Sequence, residues 1–133
     1  MSEVRLTVRI DFGSAGAIGP GKIRLLEAIH KTGSISQAGR SLRMSYRRAW
    51  LLVDDLNRCF HEPVVTTQPG GTRGGGAALT RFGRQLVKKY RSIETQAAAA
   101  GKKQLHDLGV AWRDGNHRTQ RRLKKPVHAA ARR

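Results

Sequence analysis

Cysteine, long apolar runs and acidic side chains are what this chain has least of. Cys59 is the single cysteine in 133 residues, which excludes an internal disulfide and fits a reducing compartment. No run of 18 apolar residues occurs, so no segment is expected to span a membrane. The opening MSEVRLTVRI has no continuous apolar stretch of the kind a signal peptide needs, so a cytoplasmic, nucleoid-associated location is expected. The five histidines (His30, His61, His106, His117 and His128) do not pair at ligand spacing with one another, with cysteine or with carboxylates. Cys59 and His61 lie two apart and point in different directions from a helix. Adjacent Asp54 and Asp55 diverge by about 100° on a helix and cannot share a cation; a salt bridge to Arg47, Arg48 or Arg58 is expected instead. No metal, no cofactor and no enzyme is expected.

The shortage of acid makes charge the dominant signal. Lys and Arg number 26 against 9 Asp and Glu, a net charge of +17. Such an excess implies a polyanionic partner, because basic side chains displace condensed counterions from phosphates. Residues 1–100 hold 16 basic and 7 acidic residues, net +9, and residues 101–133 hold 10 and 2, net +8. The end of the chain is denser in charge, but the foldable part is basic in its own right. With 38% hydrophobic residues there is material for one small core. One domain over residues 1–100 and a basic tail over 101–133 are expected, with a short helix through 102–110 and disorder from about 113. The tail reads equally as a nonspecific DNA anchor or as an unconstrained terminus.

The rest of the chain is organised around GSISQAGRSLRMSYRRAWLLVDDLNRCF, residues 33–60. Two helical patterns meet at Arg43-Met44, and each opens on a serine, Ser34 and Ser45, whose hydroxyl can accept from a first-turn amide. Ile35, Ala38 and Leu42 form one apolar stripe. Tyr46, Ala49, Trp50, Val53, Leu56 and Phe60 form a second, with Leu52 and Cys59 at its flank, and Trp50, Val53, Leu56 and Phe60 are expected to support the helix from behind. Arg47 and Arg48 then point outward. This is the pattern of a helix-turn-helix, or, more plainly, of an αα-hairpin with a solvated arginine pair. Gly39 inside the first helix costs about 1 kcal/mol against alanine unless the two helices approach closely there.

Upstream, Val4, Leu6, Val8 and Ile10 alternate with polar residues, which predicts a half-buried strand, followed by a glycine-rich connector over residues 11–19. Pro20 and Gly21 open a helix whose apolar face is Ile23, Leu26, Ala28 and Ile29, with Leu25 on its flank, and Gly33 closes it. Residues 16–22 match the front of a phosphate-binding loop, but Ile23 stands where Ser or Thr would hold magnesium. Nucleotide hydrolysis is therefore not expected, and Lys22 reads as a phosphate contact or a solvated charge.

Downstream, residues 64–67 predict a strand, residues 68–76 a loop with five glycines, and residues 77–79 a return strand. Strand, loop and strand after a recognition helix is the layout of a winged helix, whose wing would lie along the backbone or in the minor groove. Thr80 caps a helix of about 20 residues, or about 30 Å. Its stripe, Leu79, Phe82, Leu86, Tyr90, Ile93 and Ala97, exceeds what a small core needs, so Phe82, Leu86, Tyr90, Ile93 and Ala97 are expected to pair with a second copy. The alternative is that this helix closes the monomer's own core.

Taken together, GPGKIRLLEAIHKTGSISQAGRSLRMSYRRAWLLVDDLNRCF, then PVV, then GGTRGGGAALTRFG and LVKKYRSIE resemble the DNA-binding half of the ModE-type molybdate-responsive transcriptional regulators, over about residues 19–95. The resemblance implies a mainly α fold with a small β-wing, a LysR-like winged helix-turn-helix whose long helix joins two subunits on operator DNA. The bacterial family carries a second half that binds molybdate on small β-barrels. The basic 33-residue segment that follows the long helix shows no strand pattern, so molybdate binding within this chain is not expected.

The function expected is sequence-specific recognition of double-stranded DNA by a homodimer. Ser45, Tyr46, Arg47 and Arg48 would enter the major groove. Lys22, Ser34 and Ser36 would contact phosphates, with Arg43 of the turn in the same DNA-contacting set and Thr72 and Arg73 of the wing on the flanking backbone. Two other readings compete. One is a nonspecific architectural DNA- or RNA-binding protein acting by charge alone; the other is a sensor holding molybdate at the glycine-rich connector.

Overall fold

Residues 10–18 fold back on themselves before the first helix begins. β1 (Ile10–Phe12) pairs antiparallel with β2 (Gly16–Ile18), placing Ile10 opposite Ile18 and Phe12 opposite Gly16. The Ala15 N–H closes the turn on the Phe12 carbonyl at 3.1 Å. Pro20 then opens α1 (Pro20–Thr32), where its missing amide proton costs nothing, and Gly33 ends it by donating to the Ile29 carbonyl at 2.8 Å. The order continues α2 (Ile35–Ser41), α3 (Tyr46–Cys59), β3 (Val65–Gln68), β4 (Gly76–Leu79), α4 (Arg81–Ala100) and α5 (Lys102–Ala111). The computed structural model describes residues 4–68 and 76–113. They divide into a unit within residues 7–96 and a second unit of residues 4–6 with 97–113.

The hairpin corrects the expectation of a strand over residues 4–10 and a plain connector over 11–19. Only Ile10 of the alternating run is in a strand, while Val4 and Leu6 are exposed. The ladder joins three residues of each strand, Ile10–Phe12 and Gly16–Ile18, and does not extend back to the residues before Ile10. Val8 is held instead through its carbonyl, which accepts from the Tyr90 hydroxyl.

The core of the 7–96 unit is a three-helix layer closed by the wing root and by α4. From α1 come Ile23, Leu25, Leu26 and Ile29, all fully buried. Each contributes about 1.5–3 kcal/mol relative to exposure. Ile35 and Ala38 of α2 and Ala49, Val53 and Leu56 of α3 pack against them, with Val64, Val65 and Leu79 entering from the wing root. Gly39 lies at the crossing of α2 and α3, where a Cβ would stand 2.9 Å from the Ala49 Cβ. The close approach that would justify a glycine in α2 is thus present.

β3 and β4 pair antiparallel with Val65 opposite Leu79 and Gln68 opposite Gly76, forming the base of the wing. Asn57 fastens that base to α3. Its Oδ1 accepts from the Val64 and Val65 amides at 2.7 and 3.0 Å, and its Nδ2 donates to the Val65 carbonyl at 3.1 Å. Ala77 N–H donates to the Gly33 carbonyl at 2.9 Å, so the end of α1 holds the other strand.

Thr80 caps α4 as its position predicts, accepting from Gly83 N–H at 2.9 Å and donating to the Pro63 carbonyl at 2.7 Å. Leu86 and Tyr90 turn into the unit's own core, and Phe82 packs edge-on against Phe60 with ring centroids 5.3 Å apart. These three were expected at a surface between two copies; the monomer's core absorbs them, because the wing root and α1 offer apolar partners first. Ile93, 44% exposed, remains open. Arg91 ties α4 to α1 through both oxygens of Glu27 at 2.9 and 2.8 Å and also bonds Glu94 at 2.6 Å.

In the second unit, Gly101 N–H closes on the Ala97 carbonyl at 3.0 Å and α5 begins, covering the helical pattern expected over 102–110. No residue of α5 is buried, and Gly109 lies against Val4. The expectation of disorder from about residue 113 falls almost wholly outside the described residues. Among the described residues, no helix is long and apolar enough to cross a membrane.

Candidate nucleic-acid interface

Both serines expected as caps serve as caps. Ser34 Oγ accepts from Gln37 N–H at 3.1 Å, and Ser45 Oγ accepts from Arg48 N–H at 3.1 Å. Each bond satisfies an amide that the first helical turn would leave free, and such caps are worth about 1 kcal/mol. Between them the turn is tight. Met44 and Leu42 both donate to the Gly39 carbonyl, at 2.8 and 3.0 Å, and Arg43 adopts a left-handed φ of 62°. This geometry fixes where α3 starts and which residues it presents.

The outer face of α3 carries Tyr46, Arg47, Arg48, Trp50, Leu51, Asp54 and Arg58, all exposed. Arg47 and Arg48 make no ion pair or side-chain hydrogen bond among the described residues. The nearby carboxylates are occupied elsewhere: Asp54 pairs with Arg58 at 3.3 Å, one turn along, and Asp55 pairs with Lys22 at 2.8 Å. The first turn of α3 therefore presents two uncommitted guanidinium groups. Arg43, also exposed and unpaired among the described residues, adds a third on the turn.

Lys22 is not part of this surface. Its ammonium bonds the Ala17 carbonyl and the Asp55 carboxylate, both at 2.8 Å, and its side chain is only 17% exposed. Two of the three ammonium protons are thus committed inside the molecule, which leaves Lys22 little reach for the expected phosphate contact. A cleft of about 420 Å³ lies beside it, between the β2–α1 junction and the start of α3, with Arg9, Met44, Arg48 and Leu52 in its wall. Ser36 shares a hydrogen bond with Ser34 at 3.2 Å, so the hydroxyl pair stands at the α2 N-terminus. Thr72 and Arg73, expected to follow the DNA backbone, lie outside the described residues.

Trp50, expected behind α3, is on its outer side, beside Tyr46, which was expected to face the groove. Tyr46 is 58% exposed and Trp50 36%, with rings edge to face at a centroid distance of 6.2 Å. They occupy the edge of the stripe, and the side facing the core is filled by Ala49, Val53 and Leu56. Leu51, 55% exposed, was not assigned by pattern at all. Its signal was its misfit, an aliphatic residue four positions after Arg47 on the polar side. Asn57 was equally silent, because its partners in residues 64 and 65 are set by folding.

No family model matches the chain. Individual relatives do. It is 40% identical over 96 residues to the molybdenum transport protein ModE of Azotobacter vinelandii, covering 72% of this chain and 35% of that protein. Against the molybdenum-pterin-binding protein MopB of Rhodobacter capsulatus it is 46% identical over 81 residues, covering 61% of this chain and 30% of the relative. With the transcriptional regulator ModE of Haemophilus influenzae the identity is 34% over 93 residues, 70% of this chain and 36% of the relative. The chain thus spans about a third of the length of the curated relatives it matches. Among solved structures, a MarR family transcription regulator overlays with a TM-score of 0.53 at 17% identity, over 86% of this chain and 74% of that one. The CbnR DNA-binding domain in its DNA complex overlays at 0.51, also at 17% identity, over 66% and 95%. The fold is a winged helix, mainly α with a small β-wing, and the homologues are ModE-type regulators.

Proposed function

Starting from the homology of this winged helix to the ModE-type regulators, we propose that the chain is a transcriptional regulator that binds double-stranded DNA site-specifically through α3. It works as a homodimer in the cytoplasm, on the nucleoid, and carries no catalytic role. The observation that carries the reading is the exposed Arg47–Arg48 pair at the capped start of α3, unpaired among the described residues while Asp54 and Asp55 pair with Arg58 and Lys22. Arginine at that place can take the O6 and N7 of guanine together, discriminating by about 1–3 kcal/mol per contact. Ser34, Ser36 and Arg43 would orient the domain on phosphates, and Thr72 and Arg73 would extend the contact along the flanking backbone. Exposed Ile93 and half-buried Ala97 on α4 are the residues left for a second copy.

The experiment is selection of bound duplexes from a random pool with the full chain, followed by the same selection with Arg47 and Arg48 replaced by alanine. A single enriched motif with two-fold symmetry, lost in the double variant while its circular dichroism is unchanged, is the expected result. Binding that ignores sequence and falls steeply with salt would instead make this a charge-driven architectural protein and end the regulator reading.

A further inference from the structure

The first two turns of α3 present more than charge. Two side-by-side pairs, each four residues apart and so on one face, share the exposed surface: Tyr46 with Trp50, and Arg47 with Leu51. An exposed leucine and an exposed tryptophan beside two free arginines are unusual on a helix that water alone would cover, since charged residues serve that purpose without hydrophobic cost. Their own core does not need them, because Ala49, Val53 and Leu56 already fill the inner side of α3. The edge-to-face contact of Tyr46 and Trp50 also limits the freedom of both rings, so the ledge is formed before any partner arrives.

We propose that Tyr46, Trp50 and Leu51 form an apolar ledge that reads thymine C5-methyl groups in the major groove, next to the bases taken by Arg47. The inference rests on the DNA-binding reading above and adds the base class that α3 selects. In the major groove the C5-methyl is the only apolar group that distinguishes a base pair, and apolar side chains are its natural partners. The positive charge of Arg47 and Arg48 draws this face to the duplex and holds it at groove depth, which commits the ledge to DNA over a protein partner.

The test uses the full chain and the preferred duplex recovered from the random pool. Thymines are replaced one at a time by deoxyuridine, which removes the methyl and leaves every hydrogen-bonding group in place. Burial of one methyl predicts an affinity loss of about fourfold at each contacted thymine. Trp50→Ala and Leu51→Ala should abolish that thymine-to-uracil ratio at one or more positions, whereas a variant that merely loosened the fold would weaken both duplexes equally. Uracil tolerated at every position, with Arg47→Ala still costing affinity, would overturn the ledge and leave the DNA reading standing. Trp50→Ala and Leu51→Ala that change the oligomeric state in sedimentation but not the ratio would assign the ledge to a second copy and overturn it as well. Failure to recover any preferred duplex would remove both readings together.

Discussion

The ammonium of Lys22 lies 2.8 Å from Asp55 Oδ2, joining the first turn of α1 to the middle of α3. The bridge removes a negative charge from the edge of the proposed DNA face and locks the angle between the two helices. Its loss should be felt in stability before binding. Lys22→Ala leaves the Asp55 carboxylate unpaired, and a decrease of about 1 kcal/mol is expected in urea denaturation. At a temperature where both proteins are folded, the salt dependence of DNA affinity should be the same as wild type, because no phosphate contact is lost. Arg43→Ala, which removes a proposed phosphate contact, should instead lower that slope by about 1.

Asn57 makes the connection between α3 and the wing base with one side chain. Asn57→Ala strands the Val64 and Val65 amides, and unsatisfied buried amides cost about 1–3 kcal/mol each. A total loss of about 2–3 kcal/mol is expected in equilibrium unfolding. Asn57→Asp keeps an acceptor for both amides but turns a carboxylate oxygen toward the Val65 carbonyl, so it should still destabilise through that repulsion.

Close backbone packing should make two helical glycines irreplaceable in different degrees. A Cβ on Gly39 would meet the Ala49 Cβ at 2.9 Å, a side-chain clash the helices can relieve by a small shift. Gly39→Ala should therefore lose about 1–2 kcal/mol despite the better helix propensity, and a paired Ala49→Gly should recover part of it. At Gly83 the new atom would stand 2.2 Å from the Val64 carbonyl oxygen, which is backbone anchored by the wing base. Gly83→Ala should abolish folding as read by thermal melting.

Acid should weaken the attachment of α4 to α1. The Arg91 guanidinium, hydrogen-bonded to Glu27, holds that carboxyl below its ordinary value of 4.5 against a smaller opposing effect of burial. A carboxyl lowered in the folded state stabilises fully above its unfolded value, and the contribution disappears as pH falls through the folded value. Thermal midpoints of wild type and Glu27→Gln should differ above the ordinary value of 4.5 and converge as pH falls below it through the lowered folded value. A separation that does not narrow as acid is added would mean the pair is not what holds the helices.

Local chemistry made much of the fold legible. Ser34, Ser45 and Thr80 cap the helices they precede, and Pro20 and Gly33 bound α1, because each acts on residues within one turn of itself. The wing strands were legible from β-branching at residues 64–67 and the glycines that follow. Contacts between distant residues were not. Lys22 and Asp55 are 33 positions apart, and nothing near Lys22 distinguishes an internal cation from a phosphate contact. The stripe on α4 had two valid uses, and only the packing of Phe82 on Phe60 and the burial of Leu86 and Tyr90 decided for the monomer core. On α3, Tyr46 and Trp50 fall at the margin of the stripe, where a helical period alone does not say which side of the boundary a residue takes.

Arg43 holds a backbone conformation, φ 62°, that an L-residue with a long side chain adopts at a cost of about 1–2 kcal/mol and that glycine adopts freely. Arg43→Gly should therefore leave the melting point unchanged or higher while weakening DNA affinity. The turn between α2 and α3 is thus a place where heat resistance and grip on a polyanion pull in opposite directions. A more thermostable version of this protein is expected to be the poorer reader of its DNA.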